Sequence, residues 1–373
     1  MTHAEGTMMK DLGWCGQVES HPTATSPQLL GGLQVKVRGL PFPEQVTPGH
    51  RYWAREKAGT VPAWVEAGDL RPGQHKIGLP ADMTVEAAPA VSLLTLTGKG
   101  KASRWVTVPG RDSRLDDPEW WWLLGYWWGN GHLHHARHNR VAGLTASVPS
   151  ADTVTIQRVL RLFRSTGRTS TPTPRPGCVQ ITLTDATLGV TLARWYDSAT
   201  AGWSRKTPPD WVERLSLDCQ RELVRGYWDA DGDHFTRDGA IIGSVSLNGL
   251  LALRRILLRF GVASSIRLGG KPTTRIQGRL VTAQQPYSIR FWKGIEQFGL
   301  THRFRGRYSL PSAEDGVLWG RVTAVAEIPP EKFWPITTAT GDYLTAFGRS
   351  HNSQTRTAQR DQPTTTTSQG AAS

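Results

Sequence analysis

The sequence predicts a mixed fold in which an α/β unit interrupts an all-β module. Short alternating β segments separated by Pro and Gly occupy the early chain, and similar segments return from Val317 to Phe347. The long stretch between them mixes helical and strand patterns and contains an internal repeat. A chain of 373 residues is also longer than one ordinary hydrophobic core accommodates, which favours two or more domains.

The composition favours a polyanionic partner. The chain carries 44 Lys and Arg against 31 Asp and Glu, for a net charge of +13, and a surface this basic attracts nucleic acid first. The cysteines Cys15, Cys178 and Cys219 form no CxxC pair, which argues against a disulfide framework or a thiolate zinc site. The apolar run Trp120–Trp128 is too short to span a membrane. We therefore expect a soluble, cytoplasmic protein.

The order of patterns predicts five segments. Residues 1–27 form an irregular lead-in, 28–115 the first part of the β module, 116–312 the α/β unit, 313–352 the second part of the β module, and 353–373 a disordered low-complexity tail. The α/β unit begins with a helix, because Asp116 or Asp117 and then Pro118 supply an N-terminal signal before a Trp and Leu run.

The repeat inside the α/β unit predicts two similar halves. RVLRLF from Arg158 matches RILLRF from Arg255, and each copy is preceded by a Gly-containing segment, LLGYWWGNG from Leu123 and VRGYWDADG from Val224. Each half therefore contains a Gly-containing helix, strands, an amphipathic helix and a strand, and the two halves suggest a pseudo-two-fold domain.

The two leading helices carry small residues four positions apart, Gly125 with Gly129 and Gly226 with Ala230. Such stripes allow two helices to pack backbone to backbone, at or below roughly 8 to 10 Å. A glycine follows each helix, Gly131 in the first and its counterpart in the second, and we expect both in the left-handed cap conformation.

Parallel packing of these helices would bring Asn130 and Asp231 together at two converging C-termini. The partial negative charge of the helix ends, together with a carboxylate, suits Mg2+. A metal held between the helix ends and a phosphodiester would polarise the phosphate and activate water. The alternative is a pair of core helices with no chemical role.

With both motifs in place, the segment from Pro118 to Pro311 resembles the LAGLIDADG homing endonucleases. The resemblance implies an α/β saddle of two αββαββ-like halves, a monomer, and a long asymmetric double-stranded DNA site cut with Mg2+. Asp231 falls on the family's penultimate acidic, metal-binding position. RKTPPDWV resembles the basic block before the second motif, which implies that Lys206 is an active-site cation, against the alternative of a solvated lysine before a turn.

The first motif departs from the family, because Asn130 stands where Asp or Glu is usual. An amide oxygen can ligate a metal, but it brings no charge and accepts no proton. Cleavage would then be slow, biased to one strand, or lost. A protein that binds DNA without cutting it therefore remains an alternative.

Basic residues interleaved with small or apolar ones in the second half are expected to bind DNA, through phosphate oxygens and guanine edges. They are Arg267, Lys271, Arg275, Arg279, Arg290 and Lys293.

The β module resembles the Hint fold of phage and bacterial inteins. VTPGHRYWARE resembles the intein block with Thr47 and His50 three apart, and FWPITTATGDYLTAFGRSHNS resembles the closing block, ending in His351, Asn352 and Ser353. In that family the first His activates the upstream splice site. The Asn amide attacks its own carbonyl, the neighbouring His moves a proton, and the Ser carries an acyl group.

No opening nucleophile block resembles that of an intact intein. The alternatives are a degenerate intein that cleaves only at its C-terminal end and binds DNA without cutting, a fragment that works with an N-terminal partner chain, or the product of a misplaced start. The tail from residue 353 would then be a remnant of the C-terminal host segment.

Overall fold

The structure is a computed structural model. It describes residues 28–56, 60–81, 85, 93–97, 104–108, 113–136, 140–196, 206–236, 239–270, 273–276, 279–282, 284–291, 294–300, 312–333 and 342–351. The predicted lead-in and tail, and with them Asn352 and Ser353, lie outside the described residues.

The α-helices of the described chain lie between residues 118 and 259, and strands occur before, between and after them. The helices are α1 (Pro118–Asn130), α2 (Thr153–Arg164), α3 (Ala186–Trp195), α4 (Leu217–Asp231) and α5 (Leu247–Arg259). The first strands are β1 (Gln28–Val37), β2 (Glu44–Val46), β3 (Arg51–Arg55), β4 (Ala63–Glu66), β5 (Lys76–Pro80), β6 (Leu93–Thr97) and β7 (Arg104–Val108). In the α/β unit lie β8 (Gly131–Ala136), β9 (Arg140–Pro149), β10 (Ser170–Arg175), β11 (Cys178–Leu183), β12 (Gly232–Thr236), β13 (Gly239–Ser244), β14 (Ser264–Leu268), β15 (Thr273–Ile276), β16 (Arg279–Thr282) and β17 (Tyr287–Phe291). The last are β18 (Ser312–Glu314), β19 (Val317–Phe333), β20 (Asp342–Leu344) and β21 (Arg349–His351).

Strands from both ends of the described chain build one sheet. Its order is β2-β1-β19-β5-β3-β21-β20, with β4 paired to β3 and β18 to β19. β1 runs antiparallel to the long β19 and pairs Gln28 with Phe333 at one end and Val37 with Val322 at the other. Alternate residues of β1, including Val35 and Val37, are buried, as the two-residue period of a strand requires. The α/β unit thus lies between two parts of the chain that form one sheet, which is complete only when β19 pairs with β1 and β5.

The hairpin β6–β7 lies apart from this sheet. Its strands pair only with each other among the described residues, from Leu93 opposite Val108 to Thr97 opposite Arg104. The sequence prediction included the hairpin in the first part of the β module. In the structure it is a separate two-stranded sheet that precedes α1 in the chain.

The α/β unit contains two four-stranded sheets with the same connectivity. The first has the order β10-β11-β9-β8 and the second β14-β17-β13-β12, so in each half the third strand lies at one edge and the first strand at the other. A separate two-stranded hairpin, β15–β16, interrupts the second half between its third and fourth strands. The mixed α/β fold is as predicted, and the internal repeat reappears as repeated topology.

The leading helices begin where their sequences provide caps. The Asp117 side chain accepts a hydrogen bond from the Glu119 amide at 2.9 Å, and Pro118 occupies the first turn of α1. Ser216 caps α4 by accepting from the Cys219 amide at 3.4 Å. Both helices are buried in one large core shared by the two halves. No helix in the described part of the chain has the length and apolar character to cross a membrane.

Helix α5 connects the two parts of the molecule. Leu258 packs with Leu79 and Leu318 of the β module in a small apolar cluster. The buried guanidinium of Arg254 donates from Nη1 to the carbonyl oxygen of Ala346 at 2.8 Å, in the turn before β21. The α/β unit therefore rests on the β sheet through apolar contacts and a buried charged hydrogen bond.

Candidate active site at two helix ends

Helices α1 and α4 meet through glycine. A Cβ atom at Gly125 would collide with the carbonyl oxygen of Leu223, and one at Gly226 would collide with that of Trp122. The obstacle in each case is backbone of the opposite helix, which has no rotamer by which to withdraw. The predicted backbone-to-backbone contact is present, and it is reciprocal between the two halves.

The predicted left-handed caps are wrong. Gly131 has φ −108° and ψ 167°, and Gly232 has φ −71° and ψ 133°, so both are extended and lead directly into a strand. The need for glycine is steric. A Cβ atom would lie 2.6 Å from the carbonyl oxygen of Trp127 at Gly131, and 2.5 Å from that of Trp228 at Gly232.

Asn130 and Asp231 converge across the helix pair. The Asn130 amide donates from Nδ2 to the carbonyl oxygen of Ala230 at 2.8 Å. A Cβ atom at Gly129 would lie 3.3 Å from Oδ2 of Asp231, so that carboxylate faces the end of α1. Asp231 keeps exposed surface, yet partial burial raises its pKa above the ordinary value, and the charge of Lys206 opposes the rise.

Lys206 lies beneath the end of α1. Its ammonium donates to three carbonyl oxygens, those of Trp127 at 2.9 Å, Trp128 at 3.1 Å and Gly131 at 2.6 Å. Burial lowers the pKa of Lys206 to about 7, against the attraction of Asp231. The three carbonyl bonds favour the ammonium form, because a neutral amine has only two protons to donate. The lysine thus places a positive group at the negative end of the helix dipole.

Asp229, the other acidic residue of the second motif, faces away from this site. Its carboxylate accepts a hydrogen bond from Trp122 Nε1 at 2.7 Å and interacts electrostatically with Arg158 and Arg225. Its packing role was not anticipated from the sequence. The counterpart of Asp229 in the first motif is Trp128, which stacks on Tyr227 at 4.2 Å and donates from Nε1 to the Lys206 carbonyl at 3.0 Å.

The donor set suits a metal shared with a ligand rather than a closed protein cage. No group of three or more His, Cys, Asp or Glu side chains that could hold a metal occurs among the described residues. Mg2+ is commonly bound by one or two carboxylates together with phosphate oxygens and water. Asp231 supplies one such carboxylate in an exposed position, so the residues present fit a Mg2+ ion bound jointly with a phosphodiester.

Two of the predicted DNA-binding residues share one face of the second sheet. Arg267 of β14 pairs with Ser288 of β17. Arg290 lies two residues after Ser288 on β17, so the side chains of Arg267 and Arg290 project to the same side of the sheet. The intervening Ile266 and Ile289 are buried on the other side. Arg267 is exposed and Arg290 is half-buried. A basic face therefore lies opposite the core.

For the other predicted DNA-binding residues the structure gives at most a position on a strand. Arg275 and Arg279 lie on the hairpin β15–β16, where Arg275 pairs with Leu280 and Ile276 with Arg279. Lys271 and Lys293 lie outside the described residues.

The corresponding face of the first sheet carries polar residues that are not among the predicted DNA-binding cations. His132 lies opposite Thr145, which in turn lies opposite Thr182, and the two threonine hydroxyl groups are 3.0 Å apart. On the same face Arg175 donates from Nε to Oε1 of Gln180 at 3.2 Å. The alternating polar residues of CVQITLT were the available signal. This face is polar, with fewer cationic residues than that of the second half.

The Thr47 and His50 block lies beside the closing strand. The Thr47 carbonyl accepts from the His50 amide at 3.0 Å, and the next residue, Arg51, pairs with His351 between β3 and β21. His50 is 7% exposed, and burial lowers its pKa to about 4. The His351 ring packs edge-on against Trp64 with centroids 5.3 Å apart. The fold thus brings together two blocks that are about three hundred residues apart in the chain.

Residues 218–285 match the model of a LAGLIDADG-like domain, a segment that begins in α4 and contains Asp231 and α5. Among curated proteins, elongation factor 2 of Methanopyrus kandleri is 41% identical over 71 residues, which are 18% of this chain and only 6% of that protein. The chain is thus similar to a small part of this relative.

Two groups of solved structures overlap the chain loosely. The crystal structure of I-DmoI in complex with DNA and Mn is 14% identical, with a TM-score of 0.37, and the overlap covers 50% of this chain and 98% of that one. The N-terminal LAGLIDADG domain of DUF199/WhiA is 15% identical, with a TM-score of 0.31, over 51% of this chain and 86% of that one. Overlaps with TM-scores this low assign no fold to the chain, so its likeness to LAGLIDADG proteins is carried by residues 218–285.

Proposed function

We propose that this chain is a DNA endonuclease of the LAGLIDADG type that hydrolyses phosphodiester bonds with a divalent metal, Mg2+. The observation that carries the proposal is the convergence of Asp231 and Asn130 at the ends of two helices packed through glycine. The match of residues 218–285 to a LAGLIDADG-like domain supports it. Two similar sheets flank the helix ends, which suits a monomer on a long, asymmetric double-stranded site.

The residues divide the work between binding and chemistry. Arg267 and Arg290 offer guanidinium groups to backbone phosphates from one sheet face, with Arg275, Arg279, Lys271 and Lys293 as further contacts. Asp231 would hold the metal through its carboxylate, and Asn130 would add only a neutral amide oxygen. Bound Mg2+ would polarise the phosphate and acidify a water. Lys206, whose ammonium is hydrogen-bonded to three backbone carbonyls, would act on the phosphate through the field of its charge and not through a direct hydrogen bond.

The test is selection and cleavage from a randomised double-stranded DNA library with Mg2+, with the bound and the cut molecules sequenced separately. Cuts within one enriched long site that vanish in Asp231→Asn and in EDTA are expected. Asp218→Asn is the matched control, because Asp218 lies at the opposite end of α4, where its carboxylate pairs with Arg221 in an exposed position. Enrichment without cutting would leave a DNA-binding relic, and no enrichment would overturn the DNA assignment.

A second candidate activity is self-processing by an intein-like β module around the endonuclease. The pairing of His351 with Arg51, next to His50, supports it, since it places both histidines at one end of the sheet. His351 would then assist cyclisation of Asn352 at the bond to Ser353, and Thr47 and His50 would serve an upstream bond supplied by an N-terminal partner chain.

Intact mass measurement of the purified full chain tests this candidate. Release of the segment from Ser353 onward, abolished in Asn352→Ala and retained in Asn248→Ala, is expected if the closing block is active. A chain that keeps its full mass on prolonged incubation and with an added thiol would show that the β module does not cleave itself.

A further inference from the structure

The two helix ends at the candidate site are chemically unequal. At the end of α4, Asp231 offers an exposed carboxylate. At the end of α1, Asn130 offers a neutral amide, and that amide donates to the Ala230 carbonyl at 2.8 Å. The symmetric backbone packing through Gly125 and Gly226 therefore ends in side chains that are not symmetric.

The backbone at the end of α1 is also already engaged with a cation. The Lys206 ammonium is hydrogen-bonded to the carbonyls of Trp127, Trp128 and Gly131. Two of these carbonyls, those of Trp127 and Trp128, lie in the last turn of α1 and carry part of the negative charge of the helix end. A divalent cation approaching α1 would meet a positive group in place of that charge, with no carboxylate from Asn130 to offset the repulsion.

We infer that this chain is a strand-specific nickase, which cuts the strand whose phosphate reaches Asp231 and leaves the strand at Asn130 intact. The inference rests on the proposed endonuclease function and adds which half of the site acts. In the reaction, water supplies a hydroxyl to phosphorus as one P–O bond breaks, and the leaving oxygen takes a proton. Asn130 is thus the residue that sets the number of strands cut.

The same asymmetry predicts the result of one substitution. Asn130→Asp would supply the missing carboxylate at a position that faces Asp231 across the helix pair, within the field of the Lys206 charge. The variant should gain a second metal site and cut both strands. The charge-matched control is Gln157→Glu, because Gln157 is exposed on α2 of the same half and lies away from the helix ends.

The first readout is the topology of a supercoiled plasmid that carries the enriched site, incubated with Mg2+. Open circles from the native chain and from Gln157→Glu, and linear plasmid from Asn130→Asp, are expected. The second readout does not depend on turnover. Calorimetric titration of Ca2+ into the protein bound to a duplex of the enriched site should give one more bound ion for Asn130→Asp than for the native chain.

Linear plasmid from the native chain would overturn the nickase inference and leave the endonuclease proposal standing. Open circles from both the native chain and Asn130→Asp, with equal Ca2+ stoichiometry, would show that Asn130 does not set the strand count. Supercoiled plasmid left uncut by every variant would overturn the endonuclease proposal, and the nickase inference with it. The native products and ion count decide the matter even if the variant does not fold.

Discussion

The ammonium of Lys206 lies 2.6 Å from the carbonyl oxygen of Gly131, the residue that joins α1 to β8. The same ammonium also donates to the carbonyls of Trp127 and Trp128, so Lys206 caps the C-terminal end of α1 with three hydrogen bonds. A buried charge at a helix end links the stability of the fold to the electrostatics of the candidate site.

Lys206→Met should destabilise the protein. Methionine preserves much of the side-chain volume, but it leaves three carbonyl groups without this donor, and a buried unsatisfied acceptor costs about 1 to 3 kcal/mol. We expect a loss of roughly 2 kcal/mol or more in the free energy of unfolding, measured in urea at neutral pH. Lys36→Met, at an exposed position on β1, is the control. Equal midpoints for the two variants would contradict the capping role.

Gly226→Ala should separate the helix pair. The added methyl would collide with the Trp122 carbonyl, so α1 and α4 must move apart, at a cost of about 3 kcal/mol or more. Gly243→Ala adds the same methyl where nothing lies within 4 Å, and should be nearly neutral. Thermal unfolding of the two variants separates steric from general effects. A stable Gly226→Ala protein would mean that the helices are not in backbone contact.

Glu44 and His50 should give opposite pH dependences of stability. Burial raises the pKa of Glu44 from 4.5 to about 7, while its hydrogen bond from Tyr52 opposes the rise, and burial lowers the pKa of His50 from 6.5 to about 4. The folded state therefore holds an extra proton at Glu44 between pH 4.5 and 7, so the contribution of Glu44 falls as pH rises. His50 is neutral in the folded state, so its contribution rises across pH 4 to 6.5.

The two slopes largely cancel in the native chain between pH 4.5 and 6.5, and single variants should reveal them. Relative to the native chain, Glu44→Gln should gain and His50→Gln should lose stability with rising pH, each by about 1 kcal/mol per pH unit. Urea unfolding at pH 4.5, 5.5 and 6.5 measures both. Curves parallel to that of the native chain would show that neither group has a shifted pKa in the fold.

Arg254→Met should loosen the turn before β21 specifically. The substitution removes the hydrogen bond from Arg254 Nη1 to the Ala346 carbonyl, which ties this turn to α5. We expect faster amide hydrogen exchange over residues 345–351, because local opening then breaks fewer contacts. Arg255→Met, which removes instead an ion pair with Glu213, should leave exchange in that segment unchanged. Unaltered exchange in both variants would show that α5 does not support the turn.

Much of the architecture could be predicted because it is written in local patterns. The small residues at Gly125 and Gly226 predicted close helix contact, and the repeat predicted two halves of similar topology. The cap conformation could not be predicted in this way, since Gly131 and Gly232 satisfy steric needs against the indole and carbonyl groups of Trp127 and Trp228. A glycine in a sequence indicates freedom of the backbone, but not which constraint uses it.

The sequence by itself determined the periodicities, the small-residue stripes, the cationic charge and the Asn-for-Asp difference between the motifs, because each of these depends on residue type and spacing alone. Only the tertiary structure decided that Lys206 caps α1, that Asp229 turns to Trp122, and that His50 lies beside the strand of His351. Each of these depends on contacts between residues far apart in the chain, and such contacts exist only once burial and hydrogen bonding have chosen among the many partners that the sequence leaves open.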